Sequence, residues 1–123
     1  MKIFISITAL MLYFSNCNLE AKTKMYEKDY QKIFCNNLNG KIEHVLIDKS
    51  RIDCLTNDYA IEIDFGKKWA ESIGQSLYYS FMTNKKAGIG IIIDVNSKRD
   101  KKYLKRLYAV TKKLNIKVFI IHR

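Results

Sequence analysis

The stretch Arg51 to Tyr79, RIDCLTNDYAIEIDFGKKWAESIGQSLYY, decides how the chain is read. Within it Tyr59, Ile61, Ile63 and Phe65 alternate with Ala60, Glu62 and Asp64. A period of two over β-branched and aromatic residues is the pattern of a half-buried strand. Glu62 and Asp64 therefore share a face, with Cα atoms about 7 Å apart. Arg51 to Leu55 reads as the preceding strand, and Thr56-Asn57-Asp58-Tyr59 as the turn between the two. A two-residue loop of Asn57 and Asp58 pairs Asp53 with Glu62, bringing their Cβ atoms to about 5 Å. Carboxylates this close repel unless a cation lies between them, and hard oxygen donors suit Mg2+ or Mn2+.

A helix follows the second strand. At about 100° per residue Lys68, Gln75 and Tyr79 fall on one narrow stripe, with Trp69, Ile73, Leu77 and Phe81 on the neighbouring apolar stripe. The first stripe is expected to face the carboxylates and the second to pack.

Asp53, then Glu62-Ile63-Asp64, then Gln75-x-x-x-Tyr79 resembles the PD-(D/E)XK nuclease superfamily, in its RecB-like branch. Together with Phe34-Cys35 and Asn39-Gly40-Lys41-Ile42-Glu43, these motifs are similar to a family of small bacterial proteins given that nuclease-like assignment. The resemblance spans roughly residues 26 to 121. It implies a three-layer restriction-endonuclease-like fold and metal-dependent phosphodiester hydrolysis of DNA, with RNA as the second choice of substrate. It also implies the roles: Asp53 and Glu62 as metal ligands, with Asp64 beside them as a further ligand or an outer-shell partner, and Gln75 and Tyr79 as groups that orient the nucleophile or hold phosphate. The superfamily expects a lysine two residues after the Glu, to steady charge building on phosphorus. Here that position is Asp64, so the role would pass to Lys68 or Lys67. Glu27, on the first predicted helix, stands where the superfamily often carries a metal-positioning Glu; a solvated helix charge is the alternative.

Two other function classes remain open: a catalytically inactive module that keeps the scaffold and binds nucleic acid, and a basic envelope-associated protein drawn to anionic lipid. Metal binding separates the first from the nuclease, because an inactive module should hold nucleic acid in EDTA.

Elsewhere, Met1-Lys2 and IFISITALMLYFS have the charged start and apolar run of an export signal. The run is shorter than the roughly 20 residues of a membrane span. The expected division is a signal peptide over 1–21, cleaved after Ala21, and one domain over 22–123. The protein would then be periplasmic or secreted; lipid attachment at Cys17 is disfavoured by Asn16. The net charge is +10, and Lys2 and Glu20 cancel within the segment removed, so the domain keeps it. Such a balance favours phosphate-rich or anionic partners.

Lys24 to Cys35 reads as the first helix, with Tyr26, Tyr30, Ile33 and Phe34 on its apolar face, and Lys41 to Ile47 as the first strand. Glu43 is a possible further acidic ligand; His44 takes its place on Asp53's face if the register slips by one. Cys54 points away from Asp53, towards the face where a helix bearing Cys35 can pack, so a Cys35–Cys54 disulfide and a pair of buried thiols are both open. Gly88 to Asp94 is a strand covered on both faces. Ser97 caps a helix with an apolar stripe of Leu104, Leu107, Val110 or Thr111, and Leu114. Its other face carries the densest basic cluster, including Lys101, Lys102, Lys105 and Arg106, a candidate for phosphate-backbone contact or a solvated face. Ile116 to Ile121 is the expected last buried strand. The element order is αβββαβαβ, an α/β fold with a mixed sheet.

Overall fold

The computed structural model describes residues 23–123; the signal-like segment 1–21, its cleavage point and Cys17 lie outside the described residues. The elements are α1 (Glu27–Asn37), β1 (Lys41–Val45), β2 (Arg51–Leu55), β3 (Tyr59–Phe65), a 3-10 turn (Gly66–Lys68), α2 (Trp69–Thr83), β4 (Lys86–Ile93), α3 (Lys98–Leu114) and β5 (Lys117–His122). This is the αβββαβαβ order expected. The five strands form one open mixed sheet in chain order: β1, β2 and β3 are antiparallel, while β3, β4 and β5 are parallel. Among the described residues no helix is long and apolar enough to cross a membrane.

Alternation along β3 and β4 sorts the core into two layers. Ile61, Ile63 and Ile92 point to the α1 side, where they pack with Cys35, Cys54, Ile121 and the rings of Tyr30 and Phe34. Ala87, Ile89, Ile91 and Ile93 point to the other side, under Trp69 and Ile73 of α2 and Leu104 and Leu107 of α3. The sheet thus lies between one helix and two, because both parallel crossovers return over the same face.

Cys35 and Cys54 are joined by a disulfide that ties α1 to β2, with Cα atoms 5.6 Å apart. Gly40 sits against it: a Cβ there would stand 2.6 Å from one sulfur and 2.7 Å from the other. The glycine is required by space, since its φ is not positive.

The structure corrects several expectations. The first strand stops at Val45, because Leu46 N–H bonds the Ser50 carbonyl (2.8 Å) and Asp48 accepts from Ser50 N–H (3.0 Å), closing a turn that leaves Ile47 fully exposed. On α1 the buried positions are Gln31 and Cys35, whereas Tyr26 and Ile33 face solvent. On α2 they are Ser72, Ser76 and Tyr79, whereas Phe81 is 82 % exposed and Leu77 also reaches solvent. Thr111 faces the sheet on α3, and Leu114 does not. The last strand is a half-exposed edge, not a buried one.

Candidate active site

Hairpin geometry brings the acidic residues together. Thr56 N–H bonds the Tyr59 carbonyl (2.9 Å), so Asn57 and Asp58 form the two-residue loop. Cys54 then pairs with Ile61 and Leu55 with Ala60, a register that continued by one step sets Asp53 against Glu62. The ladder goes no further. Instead of a backbone partner, Ile63 N–H donates to Asp53 Oδ2 at 2.7 Å. Ile52 correspondingly packs with Ala60 and Tyr79 on the α2 side, although strict alternation from Cys54 would send it to the α1 side. In the facing strand Glu43 adopts a positive φ of 52°. The backbone is bent at the level of Asp53, and its carboxylate fills the gap in the ladder.

Glu62 and Asp64, expected on a half-buried face, are almost fully enclosed at 5 % and 4 % exposure. Burial pushes the Glu62 carboxyl up to about 10, and the nearby Asp53 and Asp64 push the same way. Asp53 is raised to about 6, first by burial and then by Asp64, against the lowering effect of the Ile63 N–H. Asp64 is raised by burial, but the Ser72 hydroxyl and Lys68 oppose the rise. Glu62 Oε2 is buried without a hydrogen-bond partner. Its neighbours are acceptors when ionised, so contact among the three carboxyls becomes hydrogen bonding only when a proton is retained, and Glu62 is the group that retains it.

The surrounding elements hold these acids from behind. Ser72 Oγ lies 2.8 Å from Asp64 Oδ2 and 2.9 Å from the Lys68 carbonyl. Gln31, from α1, donates through Nε2 to the Asp53 carbonyl at 2.9 Å. Lys68 Nζ stands 3.9 Å from Asp64 Oδ1 with its side chain 43 % exposed. It leaves from the 3-10 turn ahead of α2, not from the α-helix as its stripe with Gln75 implies. The Tyr79 phenol is raised to about 12 by burial, then by Glu62 and Asp53, with Gln75 as a hydrogen-bonding neighbour. Gln75 itself is exposed. Glu27 is raised by burial and by Asp64, and it feels Lys68 and Lys67 as well. It therefore lies within electrostatic reach of the site.

Glu43 goes elsewhere: its carboxylate accepts from Arg51 at 3.2 Å. His44 pairs with Ile52, so the slipped register that would put it beside Asp53 is not the one formed. Lys101, Lys102, Lys105 and Arg106 are exposed along α3, and none enters the ion pairs found among the described residues. Ser72 and Gln31 were not anticipated. For Ser72 the signal lies in the spacing, since Ser72, Ser76 and Tyr79 recur at helical intervals on one face of α2.

Among the described residues no three His, Cys, Asp or Glu side chains stand ready as a metal cage. Mg2+ does not need one, because it keeps several waters and is commonly held by one or two carboxylates and a phosphate. Comparison with known proteins adds no identity: no protein-family model, curated protein or solved structure matches the chain.

Proposed function

We propose that this protein is a Mg2+- or Mn2+-dependent phosphodiesterase of the PD-(D/E)XK type, acting on DNA in preference to RNA. On this reading the αβββαβαβ order and mixed sheet are those of the restriction-endonuclease-like fold. The observation that carries it is Glu62, a carboxylate sealed in the protein with an unpartnered oxygen and two further carboxyls beside it. An arrangement that destabilises the metal-free fold is economical if a cation completes it. The donor set fits: hard oxygens, with Asp53 and Asp64 each anchored through one oxygen by Ile63 N–H and Ser72.

Asp53 and Glu62 would hold the ion, with Asp64 as a further ligand or outer partner. The bound metal supplies a more acidic water and neutralises charge on the scissile phosphate. Lys68 serves in place of the strand lysine, its ammonium close to Asp64 and still open to a substrate. Tyr79 stays a neutral phenol at working pH and can donate to the nucleophile or a phosphate oxygen. The signal-like sequence of residues 1–21 and an oxidised Cys35–Cys54 pair suit a periplasmic or secreted location.

The test is cleavage of single- and double-stranded DNA with Mn2+ or Mg2+, beside Asp53→Asn and Lys68→Ala. Loss of cleavage in both supports the site; undiminished cleavage in Asp53→Asn sinks it. Asp64 at the lysine position favours one rival, an inactive binding module, which would retain DNA in EDTA and cut it under no metal.

A further inference from the structure

We infer that a second site adjoins the carboxylates and takes a phosphate monoester, the end of a nucleic-acid strand or a nucleotide. The strand-end part rests on the function proposed above; the phosphate part does not. A cavity of about 590 Å³ opens where the parallel strands β3 and β5 end and α3 begins, lined by Lys24, Lys67, Arg99, Arg123, Phe65 and Tyr103 among others.

Four cationic residues line this cavity from four separate segments: the approach to α1, the turn after β3, the first turn of α3 and the end of β5. The one carboxylate on its wall, Asp100, is already engaged, by Asp94 N–H at 2.7 Å and by the Arg123 guanidinium at 3.0 Å. Arg123 also lies over the Phe65 ring, 5.8 Å from its centroid. Its planar group is therefore set in place before any ligand arrives, which suits forked recognition of phosphate oxygens. Ser97 caps α3 by accepting from Asp100 N–H (3.2 Å), and the remaining amides of that first turn add positive potential. A phosphate monoester carries close to two charges at neutral pH, more than a diester, and so suits a cavity whose lining cations outnumber its lining carboxylate. Tyr103, on the same wall, offers ring surface on which a base can stack.

The two sites are contiguous. Lys67 lines the cavity, Lys68 pairs with Asp64, and Glu27 feels both lysines together with Asp64. A strand end held in the cavity would lead its chain past the carboxylates, so cleavage would count from an end.

The test uses the intact protein in EDTA, with labelled oligothymidylates ending in 5′-phosphate, 3′-phosphate or hydroxyl, and dAMP by calorimetry. One phosphorylated end should bind about tenfold tighter than the hydroxyl end. That gain should vanish in Arg99→Ala and Lys67→Ala, both exposed positions, and persist in Asp53→Asn. Equal affinity for all ends with no dAMP binding, or a phosphate gain that survives both substitutions, overturns the inference. Arg99-dependent dAMP binding without oligonucleotide binding or cleavage would keep the phosphate site and remove the nuclease reading. DNA cleavage indifferent to end chemistry would do the reverse.

Discussion

Replacing Glu62 by Gln should stabilise the metal-free protein at neutral and alkaline pH, contrary to the usual effect of altering a buried residue. The folded chain holds the Glu62 proton to about pH 10, against an ordinary value of 4.5. A carboxyl raised in this way contributes its full stability below pH 4.5, and the contribution declines as pH climbs towards the folded value. At pH 7.5, three pH units above the ordinary value, the decline amounts to at most about 4 kcal/mol, at about 1.4 kcal/mol per unit. Asp53 adds to it in the same direction between 3.8 and about 6. Glutamine keeps the shape, carries no charge, and offers an amide to the Asp53 and Asp64 oxygens. In a domain of about 100 residues, each kcal/mol moves Tm by about 4 to 8 °C. Thermal unfolding should therefore show wild-type Tm in EDTA falling by about 10 °C or more from pH 5 to pH 8, with a much flatter profile for Glu62→Gln. Mn2+ should restore the wild type at pH 8 and leave the variant unmoved, since the ion stabilises only the state that binds it. A wild-type Tm that is level across this range, or a Glu62→Gln protein less stable than wild type at pH 8 in EDTA, would refute the account of the carboxylate cluster.

Reduction of Cys35–Cys54 should cost about 3 kcal/mol in chemical denaturation, the value for a loop of this length. Gly40→Ala should cost about 2 kcal/mol with the disulfide intact and distinctly less when both cysteines are serine, because the new methyl then meets side chains free to turn. Lys68→Ala removes the cation that holds Asp64 down, so the pH midpoint of Mn2+ binding, read by calorimetry, should move upward. Ser97→Ala should lower stability by about 1 kcal/mol through loss of the α3 cap.

Alternation made the strands legible. Tyr59 to Phe65 alternates without a break, and β3 has those bounds; the same period put Cys54 opposite Asp53 and so on the side of Cys35. Helical faces were harder. Periodicity looks for an apolar stripe, yet Gln31 is drawn inward by the Asp53 carbonyl and Ser72 by Asp64, so the buried faces of α1 and α2 carry donors while Ile33 and Phe81 turn out. A helix laid over carboxylates needs hydrogen-bond donors more than it needs methyl groups. The placing of Lys68 failed for a local reason, since Gly66 to Lys68 tightens into a 3-10 turn before α2 starts. Nothing in the spacing foretold the cavity beside α3, because its four cations are scattered from Lys24 to Arg123 and meet only through the fold.

The Cys35–Cys54 bond also settles how the hairpin can be assembled. A two-stranded ribbon with a two-residue loop can slide by one position, and each slide turns every side chain to the opposite side. Here a slide of β2 would carry Cys54 out of reach of Cys35 and put Asp53 where the sulfur belongs, against Gly40 and the apolar layer under α1. Only one alignment lets the thiols meet. With the bond closed, β2 is held in the register that pairs Cys54 with Ile61, so reduction would free the strand that bears Asp53 to slide as well as loosening its tie to α1.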